Sequence, residues 1–388
     1  MKYPLATSSW DENEYKAIDS VKNSGFFSMN EKVNKFEKVF SNYLDKKYSV
    51  MVNSGSSANL LMIAALFFSN NVLNKLQPGD EIIVPSVSWG TTYFPLQQYG
   101  LKVKFVDIDS RTLNICLSKL KDSITDKTKA ILLVNLLGNP NDINTIKKYI
   151  EGKDIVILED NCESLGASFE GIKAGNFGLM STHSFFFSHH ISTMEGGMVS
   201  TDDEEIYHIL LSLRAHGWTR NLPKKNLVTG IKSDDSFEES FKFVLPGYNL
   251  RPLEMSGAIG LEQMKKIGGI ISGRRKNAKI FQELMFDNEY FDIQLESGKS
   301  SWFGFSLIIK KNIDLKRDKI LNKLNNLGFE TRPIVTGNFL KNPVIKYFKN
   351  FEKTDCPNSE YIDQQGFFIG NHHYDVSKHL KNFSNIKF

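Results

Sequence analysis

The sequence predicts an α/β protein: a large domain on a mostly parallel, mixed seven-stranded sheet, followed by a smaller C-terminal α+β domain. Two observations predict it. Seven short apolar runs rich in branched residues, "YSVMV", "EIIVPS", "VKFVDI", "AILLVNLLG", "IVILED", "THSFFF" and "MVST", alternate with helix-like stretches, the pattern of βαβ units covered on both faces. From about residue 270 the texture changes to a basic helical stretch, "SGRRKNAKIFQELM", a strand-like "SWFGFSLIIKK", a helical segment near 315–327 and "FETRPIVTG". A chain of 388 residues has material for two domains at roughly 100–200 residues each. The boundary is placed at 265/266, giving a large domain of residues 1–265 with an N-terminal helical segment and a small domain of residues 266–388.

Taken in order, Val33, Phe36, Phe40, Tyr43 and Leu44 recur at helical spacing and predict an amphipathic entry helix over 31–44. The seven strand runs follow. The polar stretch 221–245 reads as a loop excursion over a surface or a partner. Hydrophobic residues make up 41% and charged residues 24%, so the chain is expected to fold throughout. Its 48 basic and 44 acidic residues leave a net charge of +4 without a long basic block, which excludes a nucleic-acid footprint. The short runs "KKN" and "GRRK" read as solvated faces. The N-terminus lacks the apolar stretch of a signal peptide, and no run reaches the ~18 apolar residues of a membrane span. Three scattered cysteines, Cys116, Cys162 and Cys356, suit a reducing compartment, so a cytoplasmic protein free of membrane is expected.

Neither a GxGxxG after a strand nor a GxxxxGK[ST] is present. The first strand instead runs into "NSGSSANLLMIAAL", where helix-start N–H groups with the Ser56 and Ser57 hydroxyls make either an anion seat or a helix cap without a ligand. "IVILED" ends in carboxylates at a strand terminus, where α/β sheets bind ligands. Asp160 there can pair with a protonated ring nitrogen or simply cap the next turn. Trp89, after another strand end, offers a flat face to an aromatic ligand or belongs to the core. His189 and His190 are read as strand neighbours that point to opposite sides. No HExxH or Cys/His cluster accompanies them, so no metal site is expected. An imidazole with an ordinary pKa of ~6.5 suits general base work.

In this order, "FEKVFSNYLDKKYSVMVNSGSSANL", "PGDEIIVPSVSW", "VKFVDID", "ILEDNCESLGAS", "SFFFSHHISTMEGGMVSTDD", "LRAHG", "PGYNLRPLEMSGAIGLEQMKKI" and "TRPIV" resemble the DegT/DnrJ/EryC1/StrS sugar aminotransferases along essentially the whole chain. The resemblance implies an aspartate aminotransferase-like fold of type I and pyridoxal 5′-phosphate, alternating with pyridoxamine 5′-phosphate, as cofactor. It assigns Gly55, Ser56 and Ser57 to the phosphate turn and Ser184 to the same phosphate. Trp89 falls to ring stacking, Asp160 to the pyridine nitrogen and Glu163 to the ring's neighbourhood, where the family has glutamine or histidine. Asn249 corresponds to an asparagine that reaches the neighbouring subunit's site, which implies a homodimer with shared active sites.

The family's Schiff-base lysine is His189 here. Imidazole forms no Schiff base with an aldehyde, so the cofactor is held non-covalently and simple transamination is disfavoured. The substitution is similar to that of the 3-dehydratase branch, in which the base takes a proton from the cofactor and the C3 hydroxyl of a 4-keto sugar leaves. Within that branch, three scattered cysteines cannot supply the four thiolates of an iron–sulfur cluster. The resemblance therefore implies the cluster-free type. Its substrate is GDP-4-keto-6-deoxymannose, its amino donor is L-glutamate, and its products include 2-oxoglutarate and ammonia, in the making of 3,6-dideoxysugars such as colitose for O-antigen. His216, Arg220 and Arg332 are candidate contacts to the sugar, its diphosphate or glutamate. Ser188 either steadies the imidazole or the phosphate, or does nothing, and Cys162 reads as a buried spacer. The competing readings are a dehydratase of a CDP-linked 4-keto sugar and a catalytically silent cofactor-binding homologue.

Overall fold

The computed structural model describes every residue except 1, 72 and 74. Each of the seven expected runs overlaps a strand: β1 (Tyr48–Val52), β2 (Glu81–Pro85), β3 (Lys102–Val106), β4 (Thr128–Val134), β5 (Val156–Asp160), β6 (Met180–Ser184) and β7 (Gly197–Thr201). The C-terminal part adds β8 (Phe291–Ile293), β9 (Gly304–Ile309), β10 (Thr331–Arg332), β11 (Phe351–Lys353) and β12 (Gly366–Gly370). The large sheet has eight strands rather than seven, in the order β1-β7-β6-β5-β4-β2-β3-β11. Only β7 runs antiparallel to its neighbours, and β11 extends the sheet in parallel along β3. The other four C-terminal strands form an antiparallel sheet in the order β8-β9-β12-β10.

Alternation along the central strands explains why helices cover both faces. Ile82, Val84, Leu132 and Leu158 point into one core with α3 (Gly55–Phe68), α4 (Gly90–Gln98) and α7 (Glu204–Arg214). Ile83, Ile131, Leu133 and Ile157 point the other way, against α5 (Leu117–Ser123) and α6 (Ile143–Tyr149). The entry helix α2 (Glu31–Leu44) follows α1 (Glu12–Ser24) and buries Val33, Phe36, Phe40 and Leu44. Its face meets α8 (Glu254–Met285), a helix of 32 residues that passes from the large-sheet layer to the small sheet.

Two glycines set that contact. A Cβ on Gly257 would stand 2.6 Å from the Val33 nitrogen, and one on Gly260 would stand 2.6 Å from the Phe36 ring. At the head of α8, the Glu254 carboxylate accepts the N–H groups of Asn30 and Lys32, both at 2.6 Å, and so caps α2 from outside. The buried Arg214 bonds the Glu37 carboxylate and, at 2.8 Å, the Met51 carbonyl, while Glu37 accepts the Met51 N–H at 2.8 Å. This pair anchors the end of β1 to α2 and α7. Residues 215–253 form a long excursion with a hairpin of two-residue strands and a helix of five residues. No described helix is long and apolar enough to cross a membrane.

Candidate active site

The strands β1, β2, β5 and β6 run the same way, so the segments that follow them open at one end of the sheet. There the structure gathers Gly55, Ser56, Ser57, Trp89, Asp160, Glu163, Ser184 and His189.

After β1, Ser54 caps α3 by accepting the Ser57 N–H at 3.1 Å. A Cβ on Gly55 would lie 2.5 Å from the Ser184 Cβ and 3.1 Å from the Cys162 sulfur. Glycine is required at this spot to bring the end of β6 against the start of α3. Ser56 is bonded to Thr91 at 3.0 Å, so a second hydroxyl, unforeseen in the sequence, joins the seat. Trp89 precedes α4 and is 61% exposed. Its ring is an open face at the site rather than core.

Asp160 closes β5 and is 4% exposed. Its Oδ2 accepts Asn59 Nδ2 and Thr92 Oγ1, each at 2.8 Å, and its Oδ1 accepts the Cys162 N–H at 3.1 Å. The neighbouring Glu159 points the other way and accepts N–H groups of Gly175, Phe177 and Gly178 at 2.7–3.1 Å. Burial raises its pKa against those bonds. Cys162 has its thiol pushed well up, by burial first and by Asp160 second, so it is an inert spacer. Glu163 accepts the Leu137 N–H at 2.9 Å. Burial pushes its carboxyl up to about 7, against the Leu137 bond and with a further rise from the Asp160 charge. Near neutrality this side chain is present in both protonation states.

His189 lies beyond the end of β6, in a turn closed by its N–H on the Phe186 carbonyl at 2.9 Å. The expected strand geometry of the two histidines is thus corrected: β6 stops at Ser184, and a turn separates their directions. His190 is buried and bonds the Ser301 carbonyl at 3.1 Å, which anchors the turn. The His189 ring meets Phe303 edge to face at 5.3 Å, while Ser188 Oγ stands 3.5 Å from its Nδ1, a marginal contact. Enclosure by protein, helped by the Arg274 guanidinium, pushes the imidazole down to about 4. His189 is therefore neutral at pH 7, with a free lone pair, and a weaker base than an ordinary histidine.

Arg274 corrects the reading of "GRRK" as a solvated face. It is 5% exposed and bonds the carbonyls of Phe303 and Asn371 at 3.0 and 2.9 Å. Burial brings its pKa down to about 10, so it stays charged near the histidine turn. Arg275 is partly buried as well, tied to the carbonyls of Ser300 and Gly166 at 2.8 and 2.7 Å.

The expected substrate residues fall into two places. His216 and Arg220 sit on the 215–253 excursion, with Trp218 and with Asn249, the residue expected to reach a neighbouring subunit's site. His216 lies 4.7 Å from the Trp218 ring, Arg220 covers that ring at 4.8 Å, and the exposed Asn249 accepts from Arg251 at 3.1 Å. This excursion touches the turn after β1 through Asn53, whose N–H bonds the Leu250 carbonyl at 3.0 Å. Arg332 lies on β10, exposed, its guanidinium on the Thr331 carbonyl at 3.0 Å. The loop after it reaches the large domain, where Thr336 donates to the Ser88 carbonyl at 2.6 Å, next to Trp89.

A seat of small and hydroxyl residues, an open indole face and a buried carboxylate at one strand-end cleft fit a phosphorylated, nitrogen-containing aromatic ring. The family model that matches residues 8–380 is that of the DegT/DnrJ/EryC1/StrS aminotransferases, and the chain belongs to this family. Within it, the chain is 62% identical over 387 residues to GDP-4-keto-6-deoxy-D-mannose 3-dehydratase of Yersinia pseudotuberculosis, covering 100% of this chain and 98% of that one. Two solved structures of GDP-4-keto-6-deoxymannose-3-dehydratase superpose with a TM-score of 0.97, each covering 99% of both chains. One, 60% identical, is a histidine-to-asparagine mutant with bound GDP-perosamine. The other, 61% identical, holds a trapped PLP-glutamate geminal diamine.

Proposed function

We propose that this enzyme removes the C3 hydroxyl of GDP-4-keto-6-deoxy-D-mannose to give GDP-4-keto-3,6-dideoxy-D-mannose, with pyridoxal phosphate as cofactor and glutamate as amino donor. The observation that carries the reading is His189: a neutral imidazole at the mouth of a cleft otherwise furnished for this family's cofactor. The 62% identity to a dehydratase of that substrate supports the same reaction, as does the GDP-sugar bound in a structure of the same fold.

When bound, the cofactor supplies an amine that condenses with the 4-keto group and a ring that accepts electrons. Gly55, Ser56, Ser57 and Ser184 would hold its phosphate, Trp89 would cover one ring face, and Asp160 would keep the proton on the ring nitrogen. With no lysine amine at position 189, nothing on the chain displaces a finished amino sugar covalently. His189 instead takes a proton through its free nitrogen lone pair, and the resulting imidazolium can return that proton to the departing C3 hydroxyl. Glu163, poised near neutrality, would hold or yield a proton beside the ring.

Phe26, Phe27, Phe186, Phe187, Met194 and Leu253 are exposed, large apolar side chains whose cover by a second copy supports a homodimer. Phe27 is joined to the Leu253–Glu254 corner by a backbone bond of 3.0 Å. On this reading Asn249 reaches the second subunit. Three free cysteines support work in the cytoplasm.

The experiment is an incubation of the purified protein with pyridoxal phosphate, glutamate and GDP-4-keto-6-deoxymannose. The expected result is a sugar that has lost its C3 oxygen, with 2-oxoglutarate and ammonia in equal amounts. A 4-amino sugar formed without ammonia would overturn the dehydratase reading.

A further inference from the structure

Asp160 is held by more than its strand. Its Oδ2 takes two donors, Asn59 Nδ2 from α3 and Thr92 Oγ1 from α4, both at 2.8 Å, while Oδ1 takes the Cys162 N–H at 3.1 Å. The direction of each donor is forced from behind. Asn59 Oδ1 already accepts the Thr182 hydroxyl at 2.6 Å, so the NH2 end of the amide must face the carboxylate. Thr92 has one proton, which goes to Asp160, so Ser88, 2.8 Å away, donates to Thr92. Ser88, Thr92, Asn59, Thr182 and Asp160 are all 4% exposed or less. Water therefore does not substitute for any of them.

We infer that Asn59 and Thr92 are positioning residues that fix Asp160 as an acceptor-only carboxylate and leave one lone pair of Oδ1 aimed at the ring-nitrogen site. A carboxylate with two neutral donors on one oxygen has its negative charge satisfied on that side, and the carboxyl plane cannot turn without breaking both bonds. The apolar remainder of "ANLLMIAALFF" has no other use for an amide: Asn59 is the lone polar side chain beyond the first turn of α3. The inference rests on the reading of Asp160 as partner of the cofactor ring.

The test uses full-length protein carrying Asn59→Leu, Thr92→Val or Thr92→Ser. It measures the dissociation constant for pyridoxal phosphate, the pH midpoint of the bound cofactor's absorbance change, kcat and KM for the GDP-sugar, and Tm without cofactor. Loss of one charge-assisted bond should weaken cofactor binding and lower kcat by about tenfold each. The absorbance midpoint of Asn59→Leu and Thr92→Val should shift from that of wild type, with KM for the sugar within about twofold of wild type. Thr92→Ser, which keeps the hydroxyl, should match wild type. Unmoved midpoints and affinities in the Leu and Val variants would overturn the inference. So would equal losses in Thr92→Ser, which would assign the effect to packing. If Asn59→Leu does not fold, the Thr92 pair decides alone. A wild-type protein that takes up no pyridoxal phosphate would overturn the reading beneath the inference along with it.

Discussion

At position 189 the exchange of an amine for an imidazole decides what the cleft can do, and its surroundings decide the working range. An imidazole pushed down to about 4 keeps its lone pair as pH falls from 7 to 5. Once Glu163 is made non-titratable, as in Glu163→Gln, the pH–kcat profile should therefore show no acid limb in the ordinary histidine range near 6.5. His189→Asn, close in shape but without a titratable nitrogen, should lower the dehydration rate at least about a hundredfold while leaving pyridoxal phosphate binding within a few-fold, measured by cofactor absorbance. Glu163 acts at the other side of neutrality. Its carboxyl, pushed up to about 7, should give the wild-type pH profile an inflection near 7 that Glu163→Gln lacks. Ser56, Ser57 and Asp160 were legible from their places at strand ends and His189 as an imidazole suited to base work, whereas Glu163 and Ser184 came only from the resemblance to the family. Asn59, Thr92 and Arg274 were not legible, because their roles depend on neighbours far away in sequence. For Asn59 the signal was present as an isolated amide in an apolar helix.

The elements show the same division. Seven strands and the entry helix were legible because burial on one or two faces writes a period into the sequence. The strand β11 was not: "FEK" is short, polar and at an edge, and its register comes from β3 and the ion pair of Glu352 with Lys102 at 2.7 Å. Helix α8 was seen only from about residue 270, because "IGGIISG" interrupts its pattern with glycines. The glycines of α8 are not equivalent. Gly257 faces the α2 backbone at 2.6 Å, whereas a Cβ on Gly269 would meet nothing within 4 Å. Gly257→Ala should destabilise the protein by roughly 1–3 kcal/mol through overpacking. Gly269→Ala should stabilise it by up to about 1 kcal/mol through helix propensity. Denaturant melts of the two variants should move in opposite directions.

For the molecule as a whole, imidazoles enclosed wholly or partly by protein set the response to acid. His183 is pushed down to about 3, His189 and His372 to about 4, and His190 well below its ordinary value, chiefly by burial. Between those values and the ordinary ~6.5 the unfolded chain binds more protons than the folded one, so stability falls as pH drops through that interval. Glu159 and Glu163, whose carboxyls are raised, bind more protons when folded and work in the opposite direction. His208 and His373 are lowered by burial as well; with six imidazoles against two carboxyls, Tm should drop by several degrees between pH 7 and 5. A differential scanning calorimetry series that shows a flat or rising Tm would contradict this balance.

The parallel strand β11 also orders events in time. Strand β3 leaves the ribosome long before its outer partner has been made, on the order of ten to fifty seconds at cellular synthesis rates. During that wait the nascent chain displays an open strand edge, the usual template for association with another chain. The edge carries Lys102 and Lys104, which share the single Glu81 carboxylate of β2 at 3.3 and 3.8 Å and keep a net positive charge until Glu352 arrives with the C-terminal segment. The same lysines that later fasten β11 would thus keep newborn chains apart while translation is still under way.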